Sequence, residues 1–396
     1  MAGRAGSIVL IQSFLTAFTL HLLLFSYSPV IPLIIREMGI SYVEAGFVFS
    51  ICILAVIILR IPWGFLIDRI GFMATMKIAM ILIGVFSLLR GFSPSYHTLI
   101  VSQLLLGAGF AAILPCLAKI VNVMFQERAG FATGVYVAGF PTGELAGLGL
   151  TYYLTLNVGW RTVFQMFGVW SLAVALSWWI LDMRVPVKHT YLKNQSKPSL
   201  KSLAKLKQLW ILVGLCICSM GCYDTILTWL PSILEIREVP AVEASIATSI
   251  FPLGFLLSGP IIGTLSDNVG LRKPFIWILG ATSIVFMLLI PYTIQTPLWI
   301  SILTVGFTLS GILTLVLIIP TEHPELSELV GGAVGLISSI GNVGSFLFPI
   351  AVGFLIDTTR SASPPLIFLA AISGIAVILS LKVRETGKAK RQRNLI

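Results

Sequence analysis

Gly64-Phe65-Leu66-Ile67-Asp68-Arg69-Ile70-Gly71 and, 199 residues further on, Gly263-Thr264-Leu265-Ser266-Asp267-Asn268-Val269-Gly270 are one short loop written twice. Each copy follows a long apolar run and places an acid midway between two glycines. The same shift of 199 carries Pro32 onto Pro231 and Glu44 onto Glu243. A shift of 201 carries Gly130, Gly134 and Gly143 onto Gly331, Gly335 and Gly344. So constant a register marks two parallel copies of one unit. The expected organisation is a first half at 1–181, a polar, lysine-rich linker at 182–208 and a second half at 209–396.

The composition says what solvent surrounds these units. Apolar residues are 57% of the 396 and charged residues only 11%, where a soluble domain carries about 25%. A soluble fold of this length needs a polar surface that this chain does not supply. The apolar residues fall into runs near 8–33, 43–66, 73–92, 96–122, 130–154, 160–181, 209–231, 244–265, 274–292, 297–320, 330–355 and 364–382. Each is near the ~20 residues a helix needs to cross a bilayer. They are continuous and lack the alternation of barrel strands. The expectation is an all-α membrane protein with twelve transmembrane helices in two six-helix repeats. The first run is too long for a cleavable signal peptide, and no small-residue cleavage site precedes Arg36.

Lys and Arg set the expected orientation. With the N-terminus inside, nineteen fall in inner loops and five (Arg36, Arg90, Arg161, Arg237 and Arg360) in outer ones, with Arg60 and Lys119 inside spans. Both termini are therefore expected in the cytoplasm, in a cell-membrane protein. The net charge of +10 reads as inner loops facing anionic lipids rather than nucleic acid. In the linker, Leu200, Leu203, Leu206 and Leu209 recur at helical spacing while Lys197, Lys201 and Lys205 form another stripe. That pattern fits a short amphipathic helix on the inner leaflet or a flexible solvated linker. The five cysteines all fall within spans with no His or carboxylate cluster to complete a metal set, and read as small packing residues. No metal or cofactor is expected. No nucleophile–base motif and no long loop suggests an enzyme, and a monomer is expected. Paired repeats of this kind build transporters with a central site that opens alternately to each side.

The doubled G-x-x-x-D-x-x-G loop, with Arg272 and Lys273 closing the second copy, resembles the major facilitator superfamily, and the resemblance covers the whole chain. It implies the major facilitator fold, with Asp68, Arg69, Asp267 and Arg272 in loops that lock and release the halves. The first copy departs from the family pattern, having Phe72, Met73 and Ala74 where basic residues are usual. Gln103 stands in the fourth span where the superfamily often has Arg. Leu59-Arg60-Ile61-Pro62-Trp63-Gly64 is similar to the second helix of nitrate/nitrite porters, where the Arg binds the anion. A planar anion suits a guanidinium, which donates two parallel hydrogen bonds and stays charged. Those porters carry a matching Arg in helix 8, but here the 199-residue shift takes Arg60 to Gly259. Trp229-Leu230-Pro231, and Leu114-Pro115 followed by Lys119, look like the cyanate branch.

Charge at mid-bilayer costs about 2.5–3.5 kcal/mol on insertion scales, so it marks function by default. Arg60 and Lys119 lie about 12 Å from the inner helix ends, and His21, Glu144 and Asp224 about 21–22 Å. The two layers differ by about 9 Å, which argues against a direct Arg60–Glu144 pair. Substrate binding is expected from Arg60 and Lys119 with Tyr27 and Asn342; Lys119 also fits snorkelling to the headgroups. Glu144, His21 and Asp224 are the candidates for carrying a coupling proton, since His titrates near neutrality and burial tunes a carboxyl. For each, an interhelical structural hydrogen bond is the alternative. The expected function is secondary transport of a small anion, either inorganic (nitrate, nitrite or cyanate) or a carboxylate, coupled to protons. The alternative is a proton-driven exporter of a larger organic compound.

Overall fold

In a computed structural model, residues 2–184, 203–327 and 329–387 are described, with side chains for 6–183, 203–327 and 329–387. The described residues are helical, without strands. Twelve long helices follow the apolar runs. In the first half they are α1 (Ala2–Phe25, resuming as Ile31–Met38), α2 (Tyr42–Ile70), α3 (Phe72–Gly91), α4 (Tyr96–Met124), α5 (Ala129–Val158) and α6 (Trp160–Arg184). In the second they are α7 (Lys207–Ile236), α8 (Ala241–Ser249 with Phe251–Val269), α9 (Lys273–Leu289), α10 (Gln295–Glu322), α11 (Val330–Thr359) and α12 (Ser363–Ser380).

Among the described residues, eleven helices are long and apolar enough to cross a membrane. The twelfth, α5, has the length, but its glycines, threonines and Glu144 lower its mean hydropathy. Large apolar side chains are exposed, Ile61 (69%), Phe65 and Met183 among them. Lipid covers such side chains without cost, and water does not.

Local chemistry sets the helix ends. Ser41 and Glu44 form a capping box at the start of α2, satisfying two otherwise unpaired N–H groups. Gly71 and Gly270, the closing glycines of the repeated loop, have φ of +85° and +72°. L-residues with side chains rarely adopt that conformation, so the loop's last glycine is a backbone requirement.

Contacts divide the chain into two compact units, Met1–Lys193 and Asn194–Ile396. In the first, α1 lies along α5, α2 along α4, and α3 against α4 and α6. In the second, α7 lies along α11, α8 along α10, and α9 against α10 and α12. The pairings correspond one for one, as the repeat predicts. At Gly143, a Cβ would stand 2.1 Å from the Phe18 carbonyl oxygen of α1; at Gly344, 2.2 Å from the Ile217 carbonyl of α7. Backbones touch directly at both seams, the close approach that small residues give membrane helices. The five cysteines are buried free thiols, as their positions suggested. The amphipathic reading of the linker falls mostly on residues outside the described ones; at its described end Leu203 and Leu209 are buried in the second unit's core.

Candidate functional site

The α1–α5 seam has a chemical consequence. Because Gly143 brings α5 onto the backbone of α1, the neighbouring Glu144 reaches His21, whose Nδ1 lies 2.6 Å from Glu144 Oε1. The Glu144 side chain is 2% exposed and that of His21 27%. The His21 ring packs 4.6 Å from Phe140 and 5.7 Å from Phe25, centre to centre. This is a carboxylate–imidazole pair in apolar surroundings, with one edge open. Either Nδ1–H donates to an ionised carboxylate, or a protonated Glu144 donates to Nδ1. One proton added takes the pair from a single net negative charge to none.

Farther along α1 the helix breaks. Ser28–Val30 form a single 3-10 turn and Pro32 opens the next segment. The break leaves carbonyls at the end of Ala2–Phe25 without their usual i+4 donors. Arg90, at the end of α3, fills that gap. Its guanidinium donates to Leu23 O and to Ser26 Oγ at 2.9 Å, and to Gln103 Oε1 at 3.4 Å. It lies 3.8 Å from the centre of the Phe164 ring. Arg90 is 0% exposed. This corrects its expected place in an outer loop: the negative end of the broken helix, together with the ring face, holds the cation inside. Counting Arg at run ends as loop charges misses such a residue; the signal for it is Gln103, a polar side chain deep in α4. Tyr27 lies at the same break, buried, its hydroxyl donating to Ala45 O at 3.0 Å.

Arg60 is half-buried in α2. Three residues on, Trp63 donates its indole N–H to Ala108 O of α4 at 2.7 Å, fixing α2 against α4. Lys119 turns toward the end of its helix, Nζ standing 2.6 Å from Asp68 Oδ1. The contact ties Lys119 to the acid of the repeated loop. Both partners are well exposed, 42% and 66%, so the pair is worth little by itself, about 0–1 kcal/mol. Arg69 is exposed.

The second copy of the loop is held more tightly. Arg272, only 4% exposed at its side chain, pairs with Asp267 and with Glu322 of α10, the latter through Nε at 3.1 Å and Nη2 at 2.5 Å. It also donates to Ser266 Oγ. The Glu322 hydrogen bond outweighs burial and raises the Arg272 pKa, with Asp267 adding to it. Glu385 accepts from the backbone N–H groups of Arg272 and Lys273 at 2.7 and 3.0 Å. Residues beyond α12 therefore fold back onto this loop. In α7, Asp224 is 8% exposed. Asn342 in α11 is buried and donates to Ser338 O at 2.9 Å. Among the expected site residues, then, the structure joins His21 to Glu144, Lys119 to Asp68, and Arg272 to Asp267. No group of three or more metal-ligating side chains occurs among the described residues.

Comparison with known proteins places this architecture. The profile of the Major Facilitator Superfamily matches residues 13–323 and 238–395. Relatives include the probable sulfoacetate transporter of Cupriavidus necator, 24% identical, covering 88% of this chain and 87% of that one. The probable galactarate/D-glucarate transporter of Bacillus subtilis is 27% identical over 87% and 84%. The probable nitrate transporter of Staphylococcus epidermidis is 24% identical over 92% and 93%. Among solved structures, the nucleoside transporter NupG superposes with a TM-score of 0.78 at 14% identity, covering 94% of this chain and 98% of its own. A bacterial homologue of the lysosomal transporter Spinster gives 0.77 at 14%, covering 95% and 96%.

The chain is a multi-pass membrane protein of the secondary-transporter class. It belongs to the major facilitator superfamily.

Proposed function

We propose that this protein moves a small anion, inorganic or carboxylate, across the cell membrane by alternating access, coupled to protons through His21 and Glu144. The observation that carries the reading is the His21–Glu144 pair: a titratable unit within the spans, able to gain and lose one proton, in a chain that also keeps the cation Arg60 inside a helix. Its relatives support an anionic cargo, being named for sulfoacetate, galactarate/D-glucarate and nitrate. Arg60 is assigned to the anion, since its fork donates two hydrogen bonds to a carboxylate, nitrate or sulfonate edge. Tyr27 and Asn342 line the route on this reading, and Asp224 is a second acid for the proton. The four loop residues Asp68, Arg69, Asp267 and Arg272 gate it, with Lys119 acting through Asp68. Both termini face the cytoplasm, and the halves 1–181 and 209–396 flank a basic linker.

Uptake into proteoliposomes tests this. An inward proton gradient is expected to drive accumulation of at least one of nitrate, cyanate, sulfoacetate or D-glucarate. Glu144→Gln should retain exchange of that anion and lose gradient-driven accumulation. Arg60→Gln should lose both, with Arg60→Lys in part rescued. Gradient-driven accumulation by Glu144→Gln at the wild-type level defeats the proton assignment; wild-type uptake by Arg60→Gln defeats the anion assignment.

A further inference from the structure

The second unit contains a cavity that transport, as proposed above, does not use. It has a volume of about 470 Å³ and is lined by Lys207 and Gln208 at the start of α7, His323 and Glu325 just beyond α10, and Lys382 and Arg384 beyond α12. Three cations face one carboxylate. That carboxylate, on Glu325, stands 3.9 Å from Arg384, too far to neutralise it fully.

Two buried donors accompany the cations. His323 is 1% exposed. Its Nδ1 accepts from the Glu325 N–H at 3.3 Å, so in the neutral ring the proton resides on Nε2. Burial holds the imidazole below its ordinary pKa, with Arg384 adding to the effect and Glu325 opposing it. The ring is thus neutral near pH 7 and carries its proton on Nε2, a buried donor. Gln208 is fixed in the same way: its Oε1 accepts from the Arg384 N–H at 3.3 Å, which leaves its Nε2 as the donor end. Among the described residues, neither His323 Nε2 nor Gln208 Nε2 has a hydrogen-bond partner. A buried donor without an acceptor costs about 1–3 kcal/mol, and here two belong to residues that line the cavity beside three cations. Cations attract an anion, and N–H groups complete the coordination of its oxygens.

We propose that this cavity is a binding site for a phosphate group, on the side of the membrane assigned to the cytoplasm, separate from the transport route. Phosphate offers more acceptor oxygens than a carboxylate, matching a wall of five donors on three chain segments. The group reaches the site either as the headgroup of an anionic phospholipid or as a free phosphate. Occupancy would tie α7, α10 and the segment beyond α12 together, beside the loop that Glu385 already holds.

The test uses purified full-length protein in a neutral detergent and reads thermal unfolding, because a ligand of the folded state raises its apparent stability. One arm titrates inorganic phosphate against chloride at matched ionic strength. The other titrates phosphatidylglycerol against phosphatidylcholine in mixed micelles. One of the two phosphate-bearing probes is expected to raise the unfolding temperature. A response to inorganic phosphate identifies a soluble ligand; a response to phosphatidylglycerol alone identifies a lipid headgroup. The triple variant Lys207→Gln/Lys382→Gln/Arg384→Gln should bind about a hundredfold more weakly. His323→Phe leaves the charge unchanged and should bind about tenfold more weakly. Arg128→Gln, at an exposed position in the first unit, should bind as wild type does. No response to either probe overturns the proposal. So does wild-type affinity in His323→Phe, because the cations would then be a solvated rim rather than a site.

Discussion

Replacing Gly143 with alanine adds one methyl group where the structure has no room for it. The new Cβ would stand 2.1 Å from the Phe18 carbonyl oxygen, against 3.4 Å for ordinary contact. The atom in the way is backbone, so no side-chain rotation relieves the clash. Restoring contact requires α1 and α5 to separate locally by about 1.3 Å, and overpacking of this kind costs about 1–3 kcal/mol. The intrinsic helix preference of alanine returns at most about 1 kcal/mol. Gly134, in the same helix, supplies the control: a Cβ there meets nothing within 4 Å. Gly134→Ala should be neutral or stabilising, by up to about 1 kcal/mol. Thermal unfolding of the detergent-solubilised variants, followed by tryptophan emission, reads the difference. The separation also stretches the 2.6 Å His21–Glu144 contact beyond the hydrogen-bond limit of about 3.2 Å. Gly143→Ala should therefore lose proton-driven uptake together with stability. An unfolding temperature for Gly143→Ala equal to or above that of Gly134→Ala would refute the tight seam and the account of the pair built on it.

Three further outcomes are expected. Arg90→Lys keeps the charge but loses the fork that reaches both Leu23 O and Ser26 Oγ, so stability should fall by about 1–3 kcal/mol; an unchanged unfolding temperature would mean that the guanidinium does not hold the break in α1. Asp68→Asn removes an exposed ion pair and should change stability by less than about 1 kcal/mol, whereas Glu322→Gln, which weakens the hydrogen-bonded pair with the buried Arg272 while Asp267 remains, should cost about 1.5–3 kcal/mol; equal unfolding temperatures would contradict the difference between the two loops. The folded protein depresses the His323 pKa below 6.5, so the unfolded chain binds that proton more readily. The resulting stability is complete above about pH 6.5 and declines as pH falls through the folded value. A scan from pH 7.5 to 5 should show a shallower decline for His323→Gln than for wild type, and parallel curves would remove His323 as the cause.

The fold was legible because the spans and their punctuation repeat. Gly71 and Gly270 stand 199 residues apart because both must take positive φ at the same helix end, so the architecture wrote itself into residue identity. Depth was legible too. Counting along helices put His21 and Glu144 in one layer. Their contact was not, because it depends on how α1 and α5 are turned toward each other, which the touch at Gly143 fixes and no count of residues reveals. The reach of Lys119 toward Asp68 comes from a flexible four-carbon stem, which position along the helix does not reveal. Arg90 was misread because position at the end of an apolar run does not distinguish a loop cation from one drawn in by a broken helix. The Arg272 cluster was half visible: Asp267 lies in the motif, while Glu322 and Glu385 come from distant segments that only folding assembles.

The α1–α5 seam also constrains how a proton on His21–Glu144 would be exchanged. Two backbones in direct contact do not slide past each other without first lifting apart, so in any movement of the half that carries them helix and partner would turn as one body. On the proposed cycle, the distance between Nδ1 and Oε1 would travel unchanged with that body. What varies is the water at the open edge of His21. Proton release on one side and uptake on the other would then follow from solvent access to a pair of constant geometry, and not from making and breaking the pair.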